Sequence, residues 1–459
     1  MKKYDVIVIG TGGGGKITSP AARMGLKVAV IEKTALGGTC LNRGCIPSKM
    51  LIHPANVAHQ IKQAHRYGIV VPREMDIRFD ELVGHISSTV DTDSARIVSG
   101  YTKNPNIDLY QTEAKFLSNK VIRAGHEELT ADKIFIAVGA RPSIPDIKGL
   151  KDTPYMTSTE ALRNNRLPKR MIIIGGGYIA VELGHAYGAL GTEVHFLVRD
   201  CFLRGEDRQV AEEFTRVFSE TYAVHRPAVP VGVDYFNGQF TVEYLDAERS
   251  SQRLTADSLL IATGVTPNSD TLDLHKTDIE VRDNGLIKVN DYFETAVPGV
   301  YAFGDCVGNY FFRHSVNFEG EYLFKRLFLK TIDTPVRYPH VPHAVFSHPQ
   351  IAGVGKTEEE LKAEGVDYVV GLNPYKNSAM GMALRSTHGF CKILIDRSSR
   401  KILGAHIVGE EASNMIHMLI AFMSKDGTLD DLLNMIYIHP ALPEIVRNAA
   451  RKAEAAFHA

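Results

Sequence analysis

Two cysteines near the N terminus, Cys40 and Cys45, are the residues whose type and spacing most directly allow covalent chemistry. They lie in the segment G-G-T-C-L-N-R-G-C-I-P-S-K at residues 37–49, with four residues between them. Cysteines at this spacing can close a small loop and form a disulfide that is reduced and re-formed in each turnover. The alternative is a pair of buried, inert thiols. The spacing alone leaves both interpretations open.

A glycine-rich segment precedes the cysteines and predicts a nucleotide-binding turn. The apolar run V-I-V-I at residues 6–9 is typical of a buried strand, and a helical stretch reaching about Met24 follows it. Between them the GxGxxG pattern is formed by Gly10, Gly12 and Gly15. Such glycines permit a tight turn, close approach of the backbone to a pyrophosphate, and close packing of helix on strand. A second predicted strand, residues 27–31, ends in Glu32, which can accept hydrogen bonds from ribose hydroxyls.

Two residues in the predicted helix depart from the usual pattern. Lys16 follows the third glycine, and it lies either beside the pyrophosphate or in solvent; the sequence favours neither position. Pro20 lies inside the helix, where proline removes a backbone hydrogen bond, so we expect the helix to bend there.

The same plan recurs in the middle of the chain, in M-I-I-I-G-G-G-Y-I-A-V-E at residues 171–182. Its three small-residue positions are Gly175, Gly177 and Ala180. Each copy is followed by a further apolar strand that ends in a small-residue turn, at residues 134–142 and 259–268. The repetition predicts two related nucleotide-binding domains in an α/β protein, and not an array of short repeats.

The second copy differs from the first where the nucleotide would be selected. In place of the carboxylate found 22 residues after the first glycine, it has Val198 and Arg199, and Arg204 follows one short loop later. Guanidinium groups pair with a 2′-phosphate, whereas a carboxylate would repel it, so this region favours NADP(H) over NAD(H). The acidic residues nearby leave open that the arginines form surface ion pairs.

The composition excludes several classes of function. The chain has 459 residues, 44% hydrophobic and 23% charged, with a formal net charge of -1, so we expect several domains and no attraction to nucleic acid or anionic membrane. It contains neither a signal-peptide core nor an apolar run approaching the ~18 residues that span a bilayer. These features and the absence of a secreted-type disulfide framework predict a cytoplasmic protein.

The three other cysteines, Cys201, Cys306 and Cys391, are scattered and are expected to be structural. None has a Cys or His at a metal-ligand spacing, so the sequence predicts no metal site.

Five ordered motifs together resemble the pyridine-nucleotide disulfide oxidoreductases, the group of dihydrolipoamide dehydrogenase, glutathione reductase and mycothione reductase. They are the first glycine fingerprint, C-L-N-R-G-C-I-P-S-K, G-G-G-Y-I-A-V-E, G-V-Y-A-F-G-D-C at residues 299–306, and I-H-P-A-L-P-E at residues 438–444. The resemblance covers nearly the whole chain. It implies an FAD-binding domain from residues 1–148 and 267–334, an NAD(P)-binding domain from 149–266, and an α/β interface domain from 335–459 that forms a homodimer.

The resemblance also implies roles for residues around the cofactors. Asp305 would contact the ribityl chain of FAD, Lys49 would lie near the flavin N5 and pair with Glu182, and Tyr178 would cover the nicotinamide pocket. A lysine there stabilises negative charge on the reduced flavin, and a buried lysine needs a carboxylate partner. The other residues expected to bind the cofactors are Lys33, Gly38, Thr39, Ala114, Gly139, Ile179, Gly264, Arg313 and His314.

His439 and Glu444 resemble the acid/base pair of the family. An imidazole has an ordinary pKa near ~6.5, so it can give and take protons at neutral pH, and a carboxylate fixes its tautomer. In the family this histidine faces the cysteine pair of the other subunit, which implies that an active site requires two chains.

These residues predict electron flow from NADPH through FAD to the cysteine pair. Cys45 is expected to face the flavin, with its pKa lowered by the following helix N terminus, while Cys40 attacks a substrate disulfide. The C-I-P-S-K segment favours a dihydrolipoamide dehydrogenase-like enzyme acting on lipoyl groups or a lipoyl-carrying protein. The arginines and I-H-P-A-L-P-E favour an NADPH-dependent reductase of a small disulfide.

Other enzymes and roles fit the sequence less well. A C-terminal cysteine pair of the mercuric reductase or thioredoxin reductase kind is missing, because no cysteine follows Cys391. A low-turnover redox sensor and an NAD(P)H oxidase remain alternatives of another class. Neither needs an acid such as His439 positioned at a disulfide.

Overall fold

The computed structural model describes residues 1–71 and 75–458 as an α/β chain with three main sheets. Its strands are β1 (Lys2–Ile9), β2 (Val28–Ile31), β3 (Ile107–Tyr110), β4 (Ala114–Ser118), β5 (Val121–Ala124), β6 (Glu127–Ile136), β7 (Ala140–Pro142), β8 (Arg170–Ile174), β9 (Glu193–Leu197), β10 (Ala223–His225), β11 (Val229–Phe236), β12 (Gln239–Leu245), β13 (Ser251–Ala256), β14 (Ser258–Ile261), β15 (Val265–Pro267), β16 (Val300–Ala302), β17 (His343–Val345), β18 (Gln350–Gly355), β19 (Tyr368–Pro374), β20 (Phe390–Asp396) and β21 (Ile402–Gly409).

Helices connect and cover these strands. They are α1 (Gly15–Arg23), α2 (Gly38–Arg43), α3 (Cys45–Gln63), α4 (Phe79–Thr102), α5 (Ser158–Ala161), α6 (Tyr178–Ala189), α7 (Arg208–Thr221), α8 (Arg313–Phe324), α9 (Glu358–Glu364), α10 (Ala379–Ala383), α11 (Ala412–Met423), α12 (Leu429–Leu433) and α13 (Glu444–Phe457).

The first sheet is built around the N-terminal strand. Its order is β3-β2-β1-β6-β5-β4, with β16 also paired to β6, so a strand from the region after residue 299 returns to it. Strands β1, β2, β3, β6 and β16 are parallel. Ile9 is in register with Ile31 and Ile136, so Gly10, Glu32 and Ala137 begin the loops at one edge of the sheet. Ligands of open parallel sheets bind at this carboxyl edge.

The second sheet repeats that arrangement. Strands β10-β9-β8-β14 are all parallel, and α6 starts four residues after β8 ends. A three-stranded antiparallel sheet, β11-β12-β13, packs beside it, and the pair β7 and β15 links the two halves. The predicted duplication of the nucleotide-binding plan is therefore present. The exact domain boundaries stay a prediction.

The third sheet is antiparallel, in the order β17-β18-β21-β20-β19, and its helices include α11 and α13. Their buried faces form one apolar core. The sequence predicts strands in K-I-L-I-D at residues 392–396 and K-I-L-G-A-H-I-V-G at residues 401–409, and these overlap β20 and β21. It also predicts a helix over residues 412–423, which coincides with α11. The mixed α/β fold expected from the sequence is confirmed.

The first helix runs through its proline. Pro20 lies within α1, which continues to Arg23, so the proline does not end the helix.

Within the described residues, no helix is both long and apolar enough to cross a membrane.

Candidate active site

The two cysteines lie on either side of a sharp turn between two helices. Cys40 is in α2 and half-buried, whereas Cys45 is the exposed first residue of α3, and both are free thiols. Gly44 separates the helices, and a Cβ there would lie 2.9 Å from the Thr39 carbonyl oxygen. A glycine at this position therefore allows the two helix ends to approach.

The thiol pKa values are set mainly by contact between the two cysteines. A hydrogen bond from the Cys45 thiol, helped by the positive charges of Arg313 and Lys49, lowers the pKa of Cys40 to about 7. The same hydrogen bond raises the pKa of Cys45 above its usual value. Of the two thiols, Cys40 is thus the one whose pKa is lowered. The expected lowering of the Cys45 pKa by the helix N terminus stays a prediction.

A lysine–glutamate ion pair lies next to the cysteines. Lys49 Nζ is 2.6 Å from Glu182 Oε2, although the two residues are 133 positions apart. The other carboxylate oxygen accepts a hydrogen bond from the Phe346 backbone N–H at 3.0 Å, and Lys49 lies over the Phe346 ring at 4.4 Å. The pair therefore joins α3, α6 and the start of the third sheet. Sequence reasoning did not find Phe346, which has no motif around it.

A cleft at the carboxyl edge of the first sheet contains most residues of the predicted FAD site. A Cβ on Gly10 would lie 2.3 Å from the Ala137 oxygen, so only glycine fits there, and Gly10 has a φ of +97°. Glu32 accepts hydrogen bonds from the Thr11 N–H and hydroxyl at 3.0 and 2.9 Å. The predicted residues that line this cleft are Gly10, Gly12, Glu32, Lys33, Gly38, Thr39, Ala114, Gly139, Asp305 and Arg313.

The donor set of this cleft fits FAD. Gly12 and Gly38 approach so closely that a Cβ on Gly38 would lie 2.5 Å from the Gly12 Cα, so the backbone can come close to a pyrophosphate there. Burial raises the pKa of Asp305 to about 6, partly opposed by the charge of Arg313. A buried carboxyl of this kind gains from a hydroxyl partner such as a ribityl chain.

Two residues of the first fingerprint do not line the cleft. Gly15 is the first residue of α1, and a Cβ there would make only an ordinary contact, at 3.7 Å from the Tyr101 hydroxyl. Lys16 forms an ion pair with Glu321 on α8 at 2.7 Å, so the surface-charge interpretation is the one observed.

A larger cavity of ≈ 1930 Å³ adjoins the cleft, and both cysteines line the two spaces. Besides residues that it shares with the cleft, the cavity is lined by these predicted residues: Lys49, Gly177, Tyr178, Ile179, Glu182, Gly264 and His314. Phe311 and Phe312 also face it. Gly175 lies behind the cavity, where a Cβ would be 2.1 Å from the Ala262 oxygen. The cysteine pair thus lies between the predicted flavin cleft and the space in front of the second fingerprint.

The residues predicted to select NADP(H) lie at the edge of the second sheet. Val198 follows β9 and is buried, whereas Arg199 is exposed. Arg204 forms an ion pair with Asp200 at 2.8 Å and lines a separate cavity of ≈ 1540 Å³.

The predicted acid/base pair is formed at the start of α13. His439 Nδ1 lies 3.0 Å from both carboxylate oxygens of Glu444. Glu444 is buried, and its pKa is lowered first by the hydrogen bond from His439 and also by Arg447, at 2.8 Å. The His439 side chain is 69% exposed and, in the described part of the chain, does not line the cavity of the cysteines.

Sequence reasoning missed a contact at the second fingerprint. The Tyr178 hydroxyl donates a 2.5 Å hydrogen bond to Glu206, which also contacts His343. Glu206 is one of the acidic residues near Arg199 and Arg204, and no local pattern indicates a contact with Tyr178. Among the described residues, no group of three or more Cys, His, Asp or Glu is arranged to hold a metal ion.

Comparisons with known proteins agree with this geometry. The family model described as "Pyridine nucleotide-disulphide oxidoreductase" matches residues 4–347, and the model for the dimerisation domain of that family matches residues 341–450. Mycothione reductase of Mycobacterium tuberculosis is 36% identical, over 98% of this chain and 99% of its own. Dihydrolipoyl dehydrogenase 1, mitochondrial, of Arabidopsis thaliana is 34% identical, over 97% of this chain and 89% of its own.

A solved structure shows the same fold. The Cu(II) complex of the HOCl-induced flavoprotein disulfide reductase RclA from Escherichia coli superposes with a TM-score of 0.87 and 27% identity, over 98% of this chain and 99% of that chain. The family is FAD-dependent and uses pyridine nucleotides, and its dimerisation domain indicates a homodimer. The chain belongs to the pyridine nucleotide-disulfide oxidoreductases.

Proposed function

We propose that this protein exchanges electrons between NAD(P)H and a thiol or disulfide substrate through the Cys40 and Cys45 pair. The observation that carries the proposal is the position of both cysteines between the flavin cleft and the cavity that contains Lys49 and Tyr178. FAD, when bound, supplies a carrier that accepts a hydride from the pyridine nucleotide and passes two electrons to a disulfide. Lys49, held by Glu182, supplies positive charge beside it.

Cys40 is the nucleophile in this proposal. Its thiolate attacks one sulfur of the substrate disulfide, which forms a mixed disulfide and releases the first thiol. Cys45 then attacks Cys40, which releases the second thiol and closes the Cys40–Cys45 disulfide. One NADPH and one proton thus reduce one disulfide to two thiols. The lowered pKa of Cys40 supports this role, since the thiolate is the reactive form.

His439 of the partner subunit protonates the departing thiolate. The exposed position of the His439 side chain, away from the cavity of its own chain, supports a role at a second subunit. Glu444 orients the imidazole through Nδ1, so Nε2 is the atom that exchanges the proton.

The substrate is either a lipoyl group or a small disulfide. The C-I-P-S-K segment and the dihydrolipoyl dehydrogenase relatives support the first, with electrons flowing toward NAD(P)+. The similarity to mycothione reductase and the exposed Arg199 support the second, with NADPH as the donor.

Steady-state assays of the FAD-loaded protein test the proposal. Lipoamide, glutathione disulfide and oxygen are each supplied with NADH and with NADPH, and dihydrolipoamide is supplied with NAD+ and NADP+. We expect turnover with a disulfide or dithiol, and at least about a 100-fold loss in a Cys45→Ser variant. Turnover with oxygen alone, or parental disulfide reduction by the variant, would contradict the proposal.

A further inference from the structure

The hydroxyl of Tyr178 is held by a buried carboxylate. Tyr178 donates to Glu206 Oε1 at 2.5 Å, and His343 Nε2 lies 2.8 Å from Glu206 Oε2. Glu206 is only 6% exposed. Burial alone would raise its pKa, but the hydrogen bonds from His343 and Tyr178 outweigh that effect and lower it. Glu206 is therefore a charged acceptor, and hydrogen bonds to charged groups are about twice as strong as neutral ones.

The ring of Tyr178 is positioned by aromatic neighbours. It stacks on Phe312 with ring centroids 6.1 Å apart and planes 22° apart, and on His343 with centroids 6.5 Å apart and planes 26° apart. His343 and Phe312 are themselves nearly parallel, at 14°. Loss of the hydroxyl contact would thus leave the ring with packing partners.

The residue after Glu206 fixes the segment to the third sheet. Asp207 caps the N terminus of α7, and both of its oxygens contact Lys392 Nζ, at 2.9 and 2.8 Å. Lys392 is fully buried on β20 and also contacts Glu358 at 2.5 Å. His343 begins β17 in the same sheet. Glu206 is therefore held in place by contacts outside the second nucleotide-binding sheet.

We propose that Glu206 and His343 form a latch that holds Tyr178 over the nicotinamide pocket, so that Glu206 is a positioning residue for pyridine nucleotide binding. The inference rests on the proposed function, in which Tyr178 covers that pocket. Binding of the nucleotide moves the tyrosine ring and breaks the hydrogen bond to Glu206, and departure of the nucleotide allows it to form again. The latch thus opposes binding by the free energy of one charge-assisted hydrogen bond.

Titration of the oxidised, FAD-loaded protein with NADP+ and NAD+, followed by flavin absorbance, tests the latch. We expect Glu206→Gln, and independently Tyr178→Phe, to tighten binding about 5- to 10-fold, since each weakens or removes the hydrogen bond that must break. The double variant should bind no more tightly than either single variant, because both changes remove the same contact. Glu220→Gln, an exposed change at the far end of α7, is the matched control.

Two outcomes would overturn the latch: unchanged or weaker binding in Glu206→Gln, or effects of the two variants that add. A purely structural role of Glu206 would lower the thermal unfolding midpoint without tightening binding. His343→Asn gives a second test: it removes the imidazole that orients the Glu206 carboxylate, so the hold on Tyr178 weakens and tighter binding is expected, and unchanged or weaker binding would count against the latch. Failure of the proposed function is distinguishable, because the parental protein would then lack nucleotide-dependent disulfide turnover.

Discussion

At the scale of single residues, contact between the two cysteines gives their thiols different pKa values. The hydrogen bond between them lowers the pKa of Cys40 and raises that of Cys45. Arg313 and Lys49, which come from other parts of the chain, stabilise negative charge on Cys40. A nucleophile with a pKa near the ambient pH combines a large thiolate fraction with high intrinsic reactivity.

Alkylation of the reduced protein tests this arrangement. We expect the rate at which iodoacetamide alkylates Cys40 to rise with pH, with a midpoint near pH 7. The midpoint for an ordinary cysteine is about pH 8.5. An Arg313→Gln variant should raise the midpoint, because a stabilising positive charge is lost. Arg170→Gln, a distant exposed change, is the control. Rates are assigned to Cys40 and Cys45 by peptide mass spectrometry, and a midpoint above pH 8.5 for Cys40 would contradict the assignment.

At the scale of elements, four histidines connect three parts of the fold. His59 is on α3 and His185 on α6, while His348 and His388 belong to the third sheet and its loops. The ring centroids of His59 and His348 are 4.0 Å apart, and those of His348 and His388 are 5.9 Å apart. Burial lowers the pKa of His185 to about 3 and that of His348 to about 2. Charged neighbours of the cluster are Lys62, Arg66 and Glu213.

These buried histidines make stability depend on pH. In the unfolded chain they bind protons below about pH 6.5, whereas in the folded protein they stay neutral to much lower pH. The unfolded state therefore gains protons first, so the free energy of unfolding falls as the pH decreases below about 6.5, by about 1.4 kcal/mol per pH unit for each histidine.

Thermal unfolding between pH 7.5 and pH 5 measures this effect. We expect the unfolding midpoint of the parental protein to fall with acid, and to fall less steeply in a His348→Asn variant. His275→Asn, a change at an exposed histidine, should keep the parental slope. Equal slopes in all three proteins would show that the cluster does not control acid stability.

At the scale of the whole molecule, the segment before α13 is exposed in the single chain. Ile436 and Ile438 are 98% and 81% exposed, and His439 follows them. Exposed apolar side chains of this size within a dimerisation domain are typical of a surface that a second subunit covers.

Mixed dimers test whether two chains share each active site. A Cys45→Ser chain and a His439→Gln chain are each expected to be nearly inactive as homodimers. In a purified heterodimer with shared sites, one of the two sites combines the intact cysteine pair of the His439→Gln chain with the intact His439 of the Cys45→Ser chain. About half of the parental activity should therefore return. No recovery in the heterodimer would mean that each site belongs to one chain. A heterodimer of Cys45→Ser with Cys40→Ser is the control, because it leaves no intact cysteine pair.

The features that could be predicted from the sequence are those that a short, continuous segment of the chain determines. The glycine turns, the cysteine loop and α11 depend on local backbone geometry and hydrophobic periodicity, which act over a few residues. Membership in the family followed from the order of five such segments. Helix α1 continues past Pro20 to Arg23, and the bend expected at Pro20 stays a prediction.

The contacts between distant segments were decided only by the tertiary structure. Lys16 pairs with Glu321, 305 positions away, and so turns away from the predicted pyrophosphate site. Glu206 meets Tyr178 and His343, and four histidines converge from three parts of the fold. By itself the sequence determined the reactive pair and the nucleotide-binding turns. The difference between the two thiol pKa values and the group that holds Tyr178 depend on packing, because an ionisable group responds to every group near it in space and not only to its neighbours along the chain.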